Sequence, residues 1–350
     1  MQRTAKRLVT GLLALVACLG VVSAVDAGAG DTAYLVRDIR PTGPAESSSP
    51  DTFVVIGTDA YFVAEEAGTG RELWKTDGTG LGTERVRDIL PGPGSSDPEM
   101  LVDVGGTLYF VADDGTHGRE LWKSDGTTAG TVLVADVFPG ARDGDLDELT
   151  ASGGSLFFRA NDGVHGVELW MSDGTGGGTV LVEDIRGGAD SSVPTHLTDV
   201  GGVLFFSAFV TSDGVELWRS DGTELGTFLV KNIRFASGSA NPSNLIDVAG
   251  TLFFTANDGS NGIELWKSDG TDAGTVLVRD IRPGVGSSSP FVLAEVGGLL
   301  YLQANDGVTG IELWRSDGTD AGTVQIKDIA PGPASGGPAM LLAIGGTLYF

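Results

Sequence analysis

The chain alternates short apolar runs with polar turns that are rich in glycine and aspartate. Between residues 241 and 284 the segments read SNLIDVAG, TLFFTANDG, IELWKSDG and TVLVRDIRPG. The last three are rich in aliphatic, aromatic and threonine residues, which favour β-strands. No window carries a sustained i, i+3, i+4 apolar pattern of helical length, and glycine every few residues destabilises helix interiors. The pattern therefore predicts an all-β chain of short strands.

This pattern repeats every 48 residues along most of the chain. Its marker is the triplet Glu-Leu-Trp, which begins at Glu72, Glu120, Glu168, Glu216, Glu264 and Glu312. The triplets hold all six tryptophans, Trp74, Trp122, Trp170, Trp218, Trp266 and Trp314. A fixed period of this length indicates a solenoid, a propeller or another array of small units.

Each period contains three short connections and one long one. A glycine pair such as Gly297-Gly298 separates the first two runs, and tight hairpins favour such pairs because their turns need positive φ. The second connection reads Asn-Asp-Gly-x-x-Gly and the third Ser-Asp-Gly-Thr, which are both turn sequences. The fourth, as in residues 282–290, is longer and bounded by proline. Three hairpins and a crossover predict a four-stranded antiparallel blade, and a series of blades predicts a β-propeller.

The number of blades follows from counting the outer-strand segment, which occurs seven times, against six Glu-Leu-Trp triplets. Residues 32–350 are thus predicted to hold six complete blades and the first two strands of a seventh. We expect a seven-bladed ring, and we expect the protein to continue past Phe350, because exposed apolar strand edges are liabilities. The alternative is a partner strand or a different closure that covers the gap.

The segments ELWKSDGT, ELWMSDGT and ELWRSDGT resemble the repeat of the ELWxxDGT family of exported bacterial proteins. The resemblance covers residues 32–350, and it implies little about activity. A weaker, topological resemblance links the blades to those of kelch proteins, through a glycine pair upstream of a tryptophan.

The amino terminus has the pattern of a secretory signal, with basic residues before an apolar run. Small residues up to Ala24 form a cleavage site, so we predict a signal peptide at 1–24 and a short linker at 25–31. The mature chain would then have no transmembrane span and would be secreted or held at the cell surface.

A second way of processing rests on Cys18. The sequence LVAC resembles a bacterial lipobox, which would make Cys18 a lipid-anchored amino terminus. The apolar run continues past this residue, so simple secretion is preferred and a lipoprotein is the alternative. Because Cys18 is the only cysteine, no disulfide framework is expected.

The charge balance excludes one class of partner. The chain has 47 acidic and 22 basic residues, a net charge of -25. Nucleic-acid binding needs basic surface, so we expect no nucleic-acid partner. An acidic surface keeps an exported protein in solution and can attract cations.

The usual catalytic motifs are missing from the sequence. His117, His165 and His196 share no metal-ligand spacing, and no nucleophile elbow, phosphate-binding loop or zinc motif occurs. A carboxylate-based enzyme acting on polysaccharides would have its nearest candidates in one crossover, at Asp143, Asp145, Asp147 and Glu148. Their clustering on a single loop is more typical of solvated charge.

Four aspartates form the candidate metal ligands, Asp114, Asp162, Asp258 and Asp306. They lie in the loops between second and third strands, which share one face of a propeller with the crossovers. Hard oxygen ligands suit calcium, although these loops are not EF-hands and turn chemistry explains the same residues. We therefore expect no cofactor, with Ca²⁺ as the possible exception.

Two carboxylates recur in every complete repeat. Each glutamate of Glu-Leu-Trp lies two residues before a tryptophan, on the same side of the strand, so we expect it to accept hydrogen bonds from an adjacent turn. The aspartate of Ser-Asp-Gly-Thr is expected to cap its own turn. These aspartates are Asp77, Asp125, Asp173, Asp221, Asp269 and Asp317.

Three functions remain open at this stage. The preferred one is an exported, non-catalytic propeller whose loops bind a protein or a glycan, since the repeats differ most in their crossovers. The second is the carboxylate-based polysaccharide-active enzyme. The third is a calcium-stabilised surface or matrix protein.

Overall fold

The computed structural model describes residues 35–39, 47–235 and 238–350. The predicted signal peptide (1–24), Cys18 and the linker (25–31) lie outside the described residues. Within the described ranges every regular element is a β-strand, and no helix is found there that could cross a membrane.

Repeats one to three each form four strands. Repeat one contains β1 (Asp51–Ile56), β2 (Asp59–Glu66), β3 (Gly70–Thr76) and β4 (Glu84–Arg87). Repeat two contains β5 (Glu99–Val104), β6 (Thr107–Asp113), β7 (Arg119–Ser124) and β8 (Val132–Ala135). Repeat three contains β9 (Asp147–Ser152), β10 (Ser155–Asn161), β11 (Val167–Ser172) and β12 (Thr179–Glu183).

The remaining repeats follow the same plan. Repeat four contains β13 (Thr195–Val200), β14 (Val203–Val210), β15 (Gly214–Ser220) and β16 (Phe228–Lys231). Repeat five contains β17 (Ser243–Val248), β18 (Thr251–Asn257), β19 (Ile263–Ser268) and β20 (Val276–Arg279). Repeat six contains β21 (Phe291–Val296), β22 (Leu299–Asn305), β23 (Ile311–Ser316) and β24 (Val324–Lys327). A two-stranded sheet of β25 (Leu342–Ile344) and β26 (Thr347–Tyr349) comes last.

Each complete repeat is one antiparallel meander, with its strands hydrogen-bonded in chain order. In repeat five, for example, Phe254 pairs with Trp266 and Ala256 pairs with Glu264 across β18 and β19. The prediction of six four-stranded blades and a partial seventh is confirmed. The predicted closure into a ring stays a prediction.

The chain divides into two compact units, and the division passes through repeat three. The first unit runs to Leu156 and includes Ala160–Gly163 and Ser172–Thr179. The second contains Phe157–Arg159, Val164–Met171 and Val180–Phe350. Within the first unit β1 contacts β5 and β5 contacts β9, and within the second β13 contacts β17 and β17 contacts β21. Within each unit, first strands therefore meet first strands from one repeat to the next.

The hydrophobic core lies between successive sheets. In the second unit, Phe205 and Leu217 of repeat four pack in one cluster with Leu252, Phe254 and Trp266 of repeat five. Equivalent clusters join repeats one and two, and repeats five and six. The strands are covered on both faces, which explains why they read as continuous apolar runs instead of alternating ones.

Candidate functional site

One edge of each sheet gathers the crossover and the loop between second and third strands. The start of the first strand pairs with the second half of the second strand, as Thr195 does with Ser207. The crossover also bonds to that strand end, where Asn257 donates its backbone N–H to the carbonyl of Ala240 at 2.9 Å. We call this side of the sheets the crossover edge. It carries the residues that differ most between repeats.

A buried glutamate on the third strand of each complete sheet accepts hydrogen bonds from the crossover that follows. Glu264 is fully buried, and its Oε1 accepts the backbone N–H of Ser288 at 2.7 Å. Its Oε2 accepts the N–H of Ile281 at 3.0 Å and the Ser288 hydroxyl at 2.5 Å. The glutamates that accept crossover N–H groups in the same way are Glu72, Glu120, Glu168, Glu216 and Glu312.

Burial changes the acidity of these glutamates. Loss of hydration raises the pKa of Glu120, Glu168, Glu216 and Glu264 to about 7, and hydrogen bonds from the crossover only partly oppose it. The pKa of Glu72 is raised for the same reason. These carboxylates are enclosed and hold the fold together, so they are not placed to act on a substrate.

The aspartates of Ser-Asp-Gly-Thr lie at the opposite edge of the sheets, in the hairpins between third and fourth strands. Oδ1 of Asp269 accepts the N–H of Thr271 at 2.9 Å and its hydroxyl at 2.7 Å. These bonds lower the pKa of Asp269. The same contacts and the same lowering are found for Asp77, Asp125, Asp173, Asp221 and Asp317.

The calcium candidates lie one to a repeat at the crossover edge. Oδ1 of Asp258 accepts the N–H groups of Ser260 and Asn261, both at 2.8 Å. Asp306 and Asp114 make the same pair of bonds within their own loops, and Asp162 holds the same position in repeat three. Among the residues that the structure describes, no three His, Cys, Asp or Glu side chains come together to hold an ion.

The acidic residues of the third crossover are also engaged in local contacts. Asp143 accepts the N–H of Arg119 at 2.9 Å, and Asp145 accepts the amide of Asn161 at 3.4 Å. Asp147 accepts the N–H of Glu148 at 2.8 Å. The histidines remain apart: His117 bonds to Asp114 at 2.8 Å, which raises the pKa of the imidazole, whereas His196 lies in repeat four.

A cleft of about 480 Å³ opens at the crossover edge between the first strands of repeats four and five. Its walls are formed by Thr195 and His196 of β13, Ser207 and Phe209 of β14, and Val215 of β15. The two crossovers complete it with Ser192, Val193, Asn241 and Pro242, together with Ser243 at the start of β17. All of these residues belong to the second unit.

The backbone around this cleft adopts a conformation that is uncommon for residues with a side chain. His196 has φ of 59° at a bulge in β13, and Val193 has φ of 48°. The same pair of positive φ angles occurs at the equivalent positions of the other repeats up to repeat five, where it falls on Asn241 and Asn244. The bulge leaves His196 exposed at the rim of the cleft.

Arg186 covers Phe209 from the crossover that precedes repeat four. Its guanidinium lies 4.8 Å from the centre of the Phe209 ring and donates to the carbonyl of Ser191 at 3.2 Å. This contact fixes the aromatic wall of the cleft. Sequence reasoning missed the cleft, although Phe209 stands where the other complete repeats have Asn, Asp or Glu.

Comparison with known proteins supports the fold. No family model and no curated protein sequence matches this chain. Its structure is similar to that of a prolyl endopeptidase, with a TM-score of 0.52 and 13% identity over 86% of this chain and 45% of that one. It is also similar to oligopeptidase B from Leishmania major (TM-score 0.50, 12% identity, 80% of this chain and 41% of that one).

A third similar structure is prolyl oligopeptidase B from Galerina marginata, with a TM-score of 0.50 and 12% identity over 81% of this chain and 44% of that one. The chain spans less than half the length of these proteins. At this identity the likeness shows the fold alone: the repeats are blades of a β-propeller, like the propeller domains of the oligopeptidases.

Proposed function

We propose that this chain is a member of the ELWxxDGT repeat family and an exported, non-catalytic β-propeller that binds a protein or a glycan at its crossover edge. The observation that carries the proposal is the cleft at this edge in repeat four. Its volume of about 480 Å³ falls within the range of small-ligand sites. The predicted signal peptide supports export.

The chemistry of the edge favours binding over catalysis. Hydrolysis of a glycosidic bond uses a pair of carboxyl groups on either side of the bond. No carboxylate is among the described residues that line the cleft. The repeated glutamates are buried, and the loop aspartates accept N–H groups of their own turns.

Binding can be tested with the purified chain from residue 25 onwards. The labelled protein is applied to an array of glycans and to a library of displayed peptides. We expect saturable binding to members of one set, with no release of reducing sugar from any bound polysaccharide. Heat-unfolded protein is the control for non-specific adhesion. The absence of saturable binding to both sets, or steady release of reducing ends, would contradict the proposal.

A further inference from the structure

The cleft of repeat four can be compared with the same place in its neighbours. Val215 is the first apolar residue of β15, and the residue at the equivalent place in repeat two is Arg119. Arg119 reaches across the crossover edge, donating to the carbonyl of Asp97 at 3.1 Å and to the carboxylate of Glu99 at 3.2 Å. Repeat four has Val215 there, and repeats three, five and six also have valine or isoleucine.

Repeats one and three fill the place in related ways. Arg71 of repeat one stands at the same position and forms ion pairs with Asp51 and Asp97. In repeat three the filling residue is Arg159, whose guanidinium donates to the carbonyl of Pro194 at 3.4 Å. The equivalent of Arg159 in repeat four is Ser207, whose hydroxyl donates to the equivalent carbonyl, that of Pro242, at 2.5 Å. A short hydroxyl thus makes the contact that an arginine makes one repeat earlier.

Repeat four also differs from the other complete repeats by one larger, apolar side chain. At position 209 a phenylalanine replaces the polar residue of the other complete repeats. Relative to the arginines of repeats one to three, Ser207 and Val215 lack charge and bulk, and Phe209 adds an aromatic ring beside them. The aromatic ring of Phe209, the short hydroxyl of Ser207 and the apolar side chain of Val215 meet at the cleft of repeat four.

The lining has the character of a site for a neutral, hydroxyl-rich ligand. Hydroxyl, amide and imidazole groups, as on Thr195, Asn241 and His196, can both donate and accept hydrogen bonds, which matches the hydroxyl groups of a sugar. Phe209 supplies an apolar wall. No charged side chain is among the lining residues described, and the net charge of -25 disfavours an anionic ligand.

We infer that the cleft between repeats four and five binds one ring of an uncharged carbohydrate. This inference rests on the proposed binding function and names its ligand and its place. The sugar ring packs on Phe209, and the sugar hydroxyl groups bond to His196 and Asn241. Among the complete repeats, only repeat four has an aromatic residue at the position of Phe209, so we place the site there.

The test uses a variant that restores a side chain native to other repeats. Val215→Arg places at position 215 the arginine found in repeats one and two, and it closes the cleft. Ile263→Arg makes the same change at the same position of repeat five, outside the cleft, and is the matched control. Both variants and the parent chain are titrated calorimetrically with uncharged gluco-, manno-, galacto- and N-acetylglucosamine oligosaccharides.

We expect one oligosaccharide to bind the parent chain with a stoichiometry of one. Val215→Arg should weaken that binding at least tenfold, and Ile263→Arg should leave it unchanged. A second variant, His196→Asn, introduces the residue that repeat five carries at Asn244 with the same left-handed backbone, so it preserves the fold. It should weaken binding several-fold, which keeps the test informative if Val215→Arg unfolds.

The contrary outcomes fall into separate classes. Oligosaccharide binding that survives both Val215→Arg and His196→Asn would overturn this site while leaving the proposed function intact. Peptide binding that is lost in Val215→Arg, with no oligosaccharide bound, would overturn the ligand class. Failure of glycans and peptides alike to bind the parent chain would overturn the proposed function, and this inference with it.

Discussion

At the scale of single residues, the same few polar groups do the same work in every repeat. A buried glutamate such as Glu168 holds the crossover, and an exposed aspartate such as Asp173 shapes the outer hairpin. Their environments move their acidities in opposite directions. Burial raises the pKa of the glutamate to about 7, whereas hydrogen bonds from Thr175 lower that of the aspartate.

The glutamates make stability depend on pH near neutrality. Their folded pKa of about 7 lies above the ordinary value of 4.5, so between these values the folded chain binds more protons than the unfolded chain. The free energy of unfolding should therefore fall as pH rises from 5 to 8, by at most about 1.4 kcal/mol per pH unit for each glutamate. Urea unfolding at a series of pH values measures this slope. The aspartates with lowered pKa act only at more acid pH.

A pair of variants identifies the source of the slope. Glu264→Gln removes one titrating group, so the pH slope should become shallower. Its amide also sets an NH₂ group against a backbone N–H, so stability should drop at all pH values. Glu295→Gln, an exposed glutamate of repeat six, should leave the slope unchanged. Equal slopes for the parent chain and Glu264→Gln would contradict the assignment.

At the scale of elements, stability comes from the contact between one sheet and the next. Phe254 is fully buried between repeats four and five, and its ring is tilted against that of Trp266, with ring centres 6.5 Å apart. A repeat that lacked its neighbour would expose this face, so each blade depends on the next.

Removal of the Phe254 ring tests whether the stability of one blade depends on its contact with the next. Phe254→Ala should lower the free energy of unfolding by about 3–5 kcal/mol, because it leaves a cavity between two sheets. Phe235→Ala, at a phenylalanine that is 80% exposed, is the matched control and should change stability by less than about 0.5 kcal/mol. Chemical denaturation measures both. Similar losses in the two variants would show that the contact between sheets is not the main source of stability.

At the scale of the whole molecule, the acidic charge raises the question of a stabilising cation. Asp114, Asp258 and Asp306 each use a carboxylate oxygen to accept N–H groups of their own loop. Binding a calcium ion would have to compete with these bonds. We therefore expect the same Tm in calcium and in chelator at matched ionic strength.

Thermal unfolding in about 5 mM calcium, in magnesium at the same concentration and in chelator tests this expectation. Magnesium is the control for screening of the net charge. A rise in Tm that is specific to calcium, and that disappears in Asp258→Asn, would instead establish the calcium-stabilised protein as the better description.

The fold could be predicted closely because its signals are local and repeated. The strands, the hairpins and the 48-residue period each follow from residues near one another in the chain, such as Gly297-Gly298 and Ser268 to Thr271. Six copies of the same signal leave little ambiguity about where a sheet begins.

The candidate site could not be predicted in the same way. Its walls come from β13, β14, β15, β17 and two crossovers, so its existence depends on how side chains from six segments meet. Phe209 was visible as a departure from the repeat, but a departure alone does not tell whether a cleft opens beside it. Repeat three, for instance, has Val167 at the position of Val215, but there Arg159 takes the place of Ser207 and donates to the carbonyl of Pro194.

The sequence by itself determined the all-β class, the number of blades, the order of their strands and the acidic character of the chain, because periodicity, turn chemistry and charge are properties of consecutive residues. Only the tertiary structure decided which carboxylates are buried, what they bond to and where a cleft remains open. Those features depend on side chains more than 10 residues apart, as with Glu264 and Ser288, and on whether neighbouring side chains are long enough to meet.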